Sequence, residues 1–230
     1  RKASWRNRMA LDLSEPLVVA AVTEDAPRKA REAREAGADA VEVRIDMYSD
    51  GTEGALADLR DCDALPVIAT NRSTEDESEE ERVETLVAAT EYAEAIDIDI
   101  SSPDESIESV VDVSHKNDVT VIASHHDFEG TPSIDSMMET LERAWEIGDV
   151  AKLAVTPEDE GDVLDLLRLA LEARDHDGSF CAISMGSLGS YTRFVAPVYG
   201  SCLTYASYGS GTAPGQLTVR EVNEYMERFG

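Results

Sequence analysis

The chain has 230 residues, 25.0 kDa, and carries 48 acidic against 20 basic side chains for a formal charge of -28. That length suits one or two domains and is ample for a core, and 42% hydrophobic against 30% charged residues is a globular composition. No apolar run approaches the roughly 18 residues of a membrane span, and a pI near 4.3 repels phosphate backbones and anionic lipid, so membrane and nucleic-acid partners are excluded.

Only four of the basic residues are lysines (Lys2, Lys29, Lys116, Lys152), beside sixteen arginines. Acidic excess with little lysine resembles proteins of salt-loving organisms, where a Debye length of about 3 Å at molar salt screens the self-repulsion. Cys62, Cys181 and Cys202 are odd in number, widely spaced and flanked by apolar residues. They read as buried free thiols rather than disulfides or a zinc site, which suits a reducing cytoplasm. The basic stretch Arg1–Arg8 is not followed by an apolar signal-peptide core, and Met9 could be a natural start with a leader before it.

Taken in order, β-branched runs alternate with stretches of helical periodicity from end to end. The predicted strands are Leu17–Val22, Ala40–Ile45, Pro66–Asn71, Ile96–Ile100, Val119–Ser124, Val150–Val155, Phe180–Ser184 and Cys202–Ala206. The predicted helices are Pro27–Ala36, Gly54–Leu59, Glu77–Ala95, Asp104–Lys116, Ser133–Ile147, Glu158–Arg174, a short one around Leu188–Val195, and Thr218–Phe229. Pro27 suits a first helical turn, Gly37 a helix end, and Ser133 and Thr218 suit N-caps. Eight βα units without a low-complexity linker predict a single catalytic domain, an α/β fold of the (β/α)8 TIM-barrel type. The barrel is expected from about residue 17, with 1–16 as an N-terminal extension or leader. An open doubly wound sheet would need a glycine-rich turn after the first strand, and Val22-Thr23-Glu24-Asp25 is not one.

Function in such a barrel gathers at the C-terminal ends of the strands. Lys152 interrupts an apolar strand, where a lysine needs either a chemical role, as a Schiff-base nucleophile, or an ion-pair partner, Asp97 or Asp99. On the strand alone the two readings stand level. His125 and His126 point to opposite faces, so they cannot chelate one ion together, and one of them can shuttle protons at the mouth. Asp97 and Asp99 could hold magnesium but better serve as charge compensation for Arg44, Arg72 or Lys152. Glu42 and Arg44 share a face, and Arg44, Arg72 and Arg193 at one rim imply an anionic small substrate. The six acids in residues 75–81 read as an exposed helix start.

The strand-end residues come in an ordered set. It runs Val41-Glu42-Val43-Arg44-Ile45-Asp46, Thr70-Asn71-Arg72, Ser124-His125-His126-Asp127-Phe128 with Thr131-Pro132, and Ala151-Lys152-Leu153-Ala154-Val155. It continues with Ser184-Met185-Gly186 leading to Arg193, Gly200-Ser201 and Thr212-Ala213-Pro214-Gly215-Gln216. From Leu17 to the C-terminus this resembles the type I 3-dehydroquinate dehydratases. The resemblance implies a (β/α)8 lyase of the shikimate pathway, in aromatic amino-acid biosynthesis, that dehydrates 3-dehydroquinate through a lysine imine without metal or organic cofactor, usually as a homodimer. It implies Lys152 as the Schiff-base lysine, His126 as general acid/base, and Glu42, Arg44, Arg72, Arg193, Thr212 and Gln216 as substrate contacts or their neighbours. Thr212 stands where the family usually has serine. Ser73-Thr74-Glu75-Asp76-Glu77 replaces the usual Glu-Gly-Gly, which leaves Asp76, at the matching spacing from Arg72, as the possible acid orienting His126.

Two other classes fit parts of the sequence. A class I aldolase-like Schiff-base barrel would need a phosphate-binding glycine turn near strands 7 and 8, for which Gly209–Gly211 is the candidate. A non-enzymatic acidic binding module would scatter Arg, Lys and His rather than gather them at the mouth.

Overall fold

The structure, a computed structural model, describes residues 11–75, 77–208 and 217–229. Eight strands, β1 (Leu17–Val22), β2 (Ala40–Arg44), β3 (Val67–Thr70), β4 (Ala95–Asp99), β5 (Thr120–Asp127), β6 (Val150–Val155), β7 (Ser179–Ser184) and β8 (Leu203–Ser207), alternate with eight helices. The helices are α1 (Ala26–Glu35), α2 (Gly51–Asp61), α3 (Glu79–Ala89), α4 (Asp104–Lys116), α5 (Ile134–Ile147), α6 (Glu160–Ala173), α7 (Thr192–Val195) and α8 (Val219–Phe229). All ladders are parallel, in the order β7-β6-β5-β4-β3-β2-β1-β8. The β7/β8 seam has no full ladder. It is stitched by Cys202 N–H donating to Phe180 O at 2.8 Å and Ala182 N–H donating to Ser201 Oγ at 3.2 Å, and the sheet becomes the expected (β/α)8 barrel.

The strands read as nearly continuous apolar runs because both faces are covered. In β1, Val18, Ala20 and Val22 pack outward on the helices, while Val19 points into the barrel. The interior rises in rows two residues apart. The lowest row is Val19, Ala40, Ile68, Ala95, Ile122, Val150, Cys181 and Leu203, all apolar. Leu11 closes this floor from below, and its N–H donates to Thr120 Oγ1 at 3.1 Å. Part of the stretch expected to be an extension is therefore barrel floor.

Several boundaries differ from the sequence reading, and the helix expected over Gly54–Leu59 is longer, Gly51–Asp61. The predicted helix over 77–95 stops at Ala89, where Thr90 Oγ1 donates to Val87 O at 2.7 Å and the chain turns, and Ala95 already belongs to β4. Its start is sharp, because Ser78 and Glu81 form a reciprocal capping box with Glu79, Glu80 and Glu81 in the first turn. Strand β5 runs on through His125, His126 and Asp127, paired to Leu153, Ala154 and Val155. The helix expected from Leu188 is confined to Thr192–Val195 and continues as a 3-10 turn to Tyr199. Gly37 does end a helix, with φ +101°, and Cys62, Cys181 and Cys202 are buried free thiols, as expected. Among the described residues no helix is long and apolar enough to cross a membrane.

Candidate active site

One pleat repeat above the apolar floor, the strands present Glu42, Thr70, Asp97, Ser124, Lys152 and Tyr205, all buried. Parallel register makes this row: Ser124 lies beside Lys152, and Thr70 beside Asp97. Lys152 Nζ donates to Asp97 Oδ2 at 2.8 Å, stands 3.7 Å from Glu42 Oε1, and lies 3.9 Å from the centroid of the Tyr205 ring. Asp97 Oδ1 accepts from Ser124 Oγ at 2.6 Å, and Glu42 Oε1 accepts from Thr70 Oγ1 at 2.9 Å. Burial alone would raise the Asp97 carboxyl. The charges of Lys152 and Arg72 outweigh it and hold the group below the ordinary 3.8.

The next row, at the mouth, holds Arg44, Arg72, Asp99 and His126. The Nη1 and Nη2 atoms of Arg72 lie 2.9 Å from Nδ1 and Nε2 of His126. A guanidinium accepts nothing and a neutral imidazole has one lone pair, so only one of these contacts is a hydrogen bond. Arg72 also stands 3.8 Å from Asp97 and 3.7 Å from Asp99, and Asp99 Oδ2 lies 3.9 Å from His126 Nδ1. Burial first, then the positive charges of Arg72 and Lys152, hold the His126 imidazolium well below its ordinary 6.5. The site thus keeps a neutral imidazole, with Phe128 stacked on it at 5.9 Å between ring centroids.

Of the two histidines, His126 is on the face of Lys152. His125 turns outward to a hollow lined by Ser101, Ser136 and Arg143. Arg44 is forked onto Asp46 at 3.0 and 2.6 Å. Burial would weaken its proton affinity, but Asp46, Glu42 and Asp97 raise it above the ordinary arginine value. Arg193, at the start of α7, is buried; its Nη1 donates to Tyr205 O at 2.7 Å, and its Nε has no partner among the described residues. Burial lowers its proton affinity, and the unspent donor suits an anionic ligand.

Six of the sequence-derived residues, Glu42, Arg44, Arg72, His126, Lys152 and Arg193, thus stand at one end of the barrel; Asp76, Thr212 and Gln216 lie outside the described residues. The acids near His126 among the described residues are Asp99, 3.9 Å from Nδ1, and Asp97, whose charge favours the imidazolium. Asp97 and Asp99 are engaged as charge partners: Asp99 Oδ1 accepts from Ser101 N–H at 2.8 Å and Ser101 Oγ at 2.6 Å. Among the described residues no cluster of three or more His, Cys, Asp or Glu could hold a metal ion. Ser124 and Thr70, which open two of the quoted motifs but were given no role there, and Tyr205, which no motif marks, also belong to the site. Their signal in the sequence is phase, since each is an even number of residues from an inward-facing neighbour on its strand.

Residues 16–229 match the model of the family described as Type I 3-dehydroquinase. The chain belongs to that family. It is 38% identical over 227 residues to the 3-dehydroquinate dehydratase of Methanococcoides burtonii, covering 94% of this chain and 96% of that protein. It is 43% identical over 203 residues to that of Methanothermobacter thermautotrophicus, covering 86% of each. Among solved structures, the 3-dehydroquinate dehydratase of Geobacillus kaustophilus superposes with a TM-score of 0.85 at 27% identity, over 94% of this chain and 91% of that one. The type I enzyme of Clostridium difficile, solved with covalently modified comenic acid, gives 0.84 at 28% identity over 93% and 92%. Family membership removes the aldolase-like and binding-module alternatives.

Proposed function

We propose that this chain dehydrates 3-dehydroquinate to 3-dehydroshikimate through an imine on Lys152, with His126 as general acid and base. As a family member it is a lyase of the shikimate pathway. The observation that carries the finer reading is the placement of a buried Lys152 amine at the centre of the polar row, with a neutral imidazole one pleat above it on the same face.

The steps follow from that pair. A proton leaves the Lys152 ammonium, and the amine attacks the C3 ketone. The carbinolamine loses water, and the iminium draws electrons from C2, so His126 can take the C2 proton. The enamine then expels the C1 hydroxyl, which leaves as water with the proton that His126 returns. Water finally releases the product and restores the amine. Asp97 and Glu42 keep Nζ in place through these charge changes, and Arg72 keeps His126 neutral before substrate arrives. Arg193 and Gln216, with Thr212, would grip the substrate carboxylate. The reaction needs no metal or organic cofactor, because the iminium is the electron sink. Covalently modified comenic acid in the Clostridium difficile relative is consistent with covalent chemistry in this fold. A homodimer in a reducing cytoplasm completes the reading, the latter in keeping with three free thiols.

Incubation with 3-dehydroquinate and borohydride tests it, since hydride converts an iminium to a stable amine. The expected result is a mass increment on the Lys152 peptide in wild type and none in Lys152→Arg, whose guanidinium stays protonated. A wild-type protein that turns over without trapping, or an active Lys152→Arg, would refute the imine.

A further inference from the structure

Tyr205 has no part in the steps above, yet its ring lies against the reacting amine. Its ring centroid lies 3.9 Å from Lys152 Nζ, and the residue is 5% exposed. Its hydroxyl is fully buried and has no hydrogen-bond partner among the described residues, although the carboxylates of Glu42 and Asp97 act on it electrostatically. A buried hydroxyl without a partner is unfavourable, and native proteins rarely keep one without a use. A second unspent donor belongs to the same constellation: Arg193, which donates from Nη1 to the backbone carbonyl of Tyr205, has its Nε buried and without a partner among the described residues.

We propose that Tyr205 is a substrate-binding residue whose hydroxyl donates a hydrogen bond to the oxygen on the carbon that Lys152 attacks. The proposal rests on the imine reading above. With Nζ 3.9 Å from the ring centroid, the phenol oxygen at the edge of the same ring is within reach of an oxygen carried on a carbon bonded to Nζ. As the N–C bond forms, the carbonyl π pair moves onto this oxygen, and the Tyr205 O–H meets the developing charge. Dehydration then breaks the C–O bond and forms C=N. The ammonium and ketone give iminium and water with no proton left over. Burial, reinforced by Glu42 and Asp97, holds the phenol protonated well above its ordinary range, so it donates without titrating.

The test is Tyr205→Phe, which keeps the ring over Nζ and removes only the hydroxyl. We expect the variant to fold with an unchanged or raised melting temperature, since it loses an unsatisfied polar group. Its kcat and its rate of borohydride trapping on Lys152 should each fall about tenfold, the usual worth of one neutral hydrogen bond, while the final extent of trapping stays at the wild-type level. A purely structural hydroxyl predicts the reverse: a lowered melting temperature with wild-type kcat and trapping rate. That result, or no change in any quantity, overturns the proposal. Wild-type protein that does not trap at all refutes the imine reading and this proposal with it, whereas normal wild-type trapping with an unaffected Tyr205→Phe refutes the proposal alone.

Discussion

Asp97→Asn isolates the electrostatics at the centre of the barrel. Asp97 is 2% exposed and meets Lys152 at 2.8 Å, Ser124 at 2.6 Å and Arg72 at 3.8 Å. The amide keeps the acceptor for Ser124 but removes the charge, leaving Lys152 with Glu42 at 3.7 Å. Removing one partner of a buried pair costs about 3–5 kcal/mol, and Glu42 puts this case at the lower end, about 3 kcal/mol. At about 2–4 °C per kcal/mol for a chain of this size, the melting temperature should fall by about 6–12 °C. Adding Lys152→Met should recover part of that loss, because residues 97 and 152 are then both neutral, while buried Glu42 loses its lysine and keeps the charge of Arg44. Thermal unfolding of both single variants and the double variant at pH 7 in molar KCl measures the coupling, which surface screening cannot remove from a buried pair. The Asp97 carboxyl is held below 3.8, so its stabilisation is complete above that pH and is lost as pH falls through the folded-state value. Costs that add within about 0.5 kcal/mol would show that the two groups do not act as a pair and refute this reasoning.

Further outcomes follow from the same geometry. His126→Ala should suppress turnover by at least a hundredfold and His125→Ala by less than a few-fold, because the two side chains project from opposite faces of β5; steady-state kinetics with equal, mild losses would contradict the assignment. The melting temperature should rise steeply between dilute buffer and molar KCl, because -28 charges on 25.0 kDa repel unless screened. A flat or falling midpoint would remove the salt-adapted reading.

The barrel was legible because every βα unit carried its own signal: an apolar run for a strand covered on both faces, then a helical period. Where the signal was mixed, the boundary slipped. Thr90-Glu91-Tyr92 carries nothing as strong as glycine or proline, so a helix that ends on a threonine side-chain hydrogen bond read as one that continues. His125-His126-Asp127 is too polar to read as strand, yet it pairs with β6 because the mouth of the barrel is where polar strand ends find partners. Lys152 stood out as a charge inside an apolar run. Tyr205 did not, because an aromatic residue in a strand is unremarkable until its phase places it over an amine. The ion pair Asp97–Lys152 joins residues on β4 and β6 whose side chains meet across the barrel interior, which only closure creates; the sequence narrowed the partner to Asp97 or Asp99, and the three-dimensional register selected Asp97.

Closure also explains how so acidic a chain can receive an anion. Among the described residues, the upper barrel sets Arg44, Arg72, Lys152 and Arg193 against Glu42, Asp46, Asp97 and Asp99, so the site is formally neutral inside a molecule of -28. This balance has a consequence for pH. In the free enzyme, burial and the charges of Arg72 and Lys152 keep His126 deprotonated to well below 6.5. In the proposed mechanism a bound carboxylate adds one negative charge, while conversion of the Lys152 ammonium to an iminium leaves its positive charge in place. The imidazolium is therefore favoured more in the complex than in the free enzyme, and its pKa rises on binding. Since kcat/KM reports the free enzyme and kcat the complex, the acid limb of kcat should lie at higher pH than that of kcat/KM. Arg72→Met removes the nearest positive charge, so it should move the acid limb of kcat/KM upward while that of kcat moves less. The profiles need wild type and the one variant, from pH 4 to 8 in constant molar KCl. Acid limbs that coincide near 6.5 in wild type, or a kcat/KM limb that stays put in Arg72→Met, would mean that the group controlling the rate is not the histidine held against Arg72.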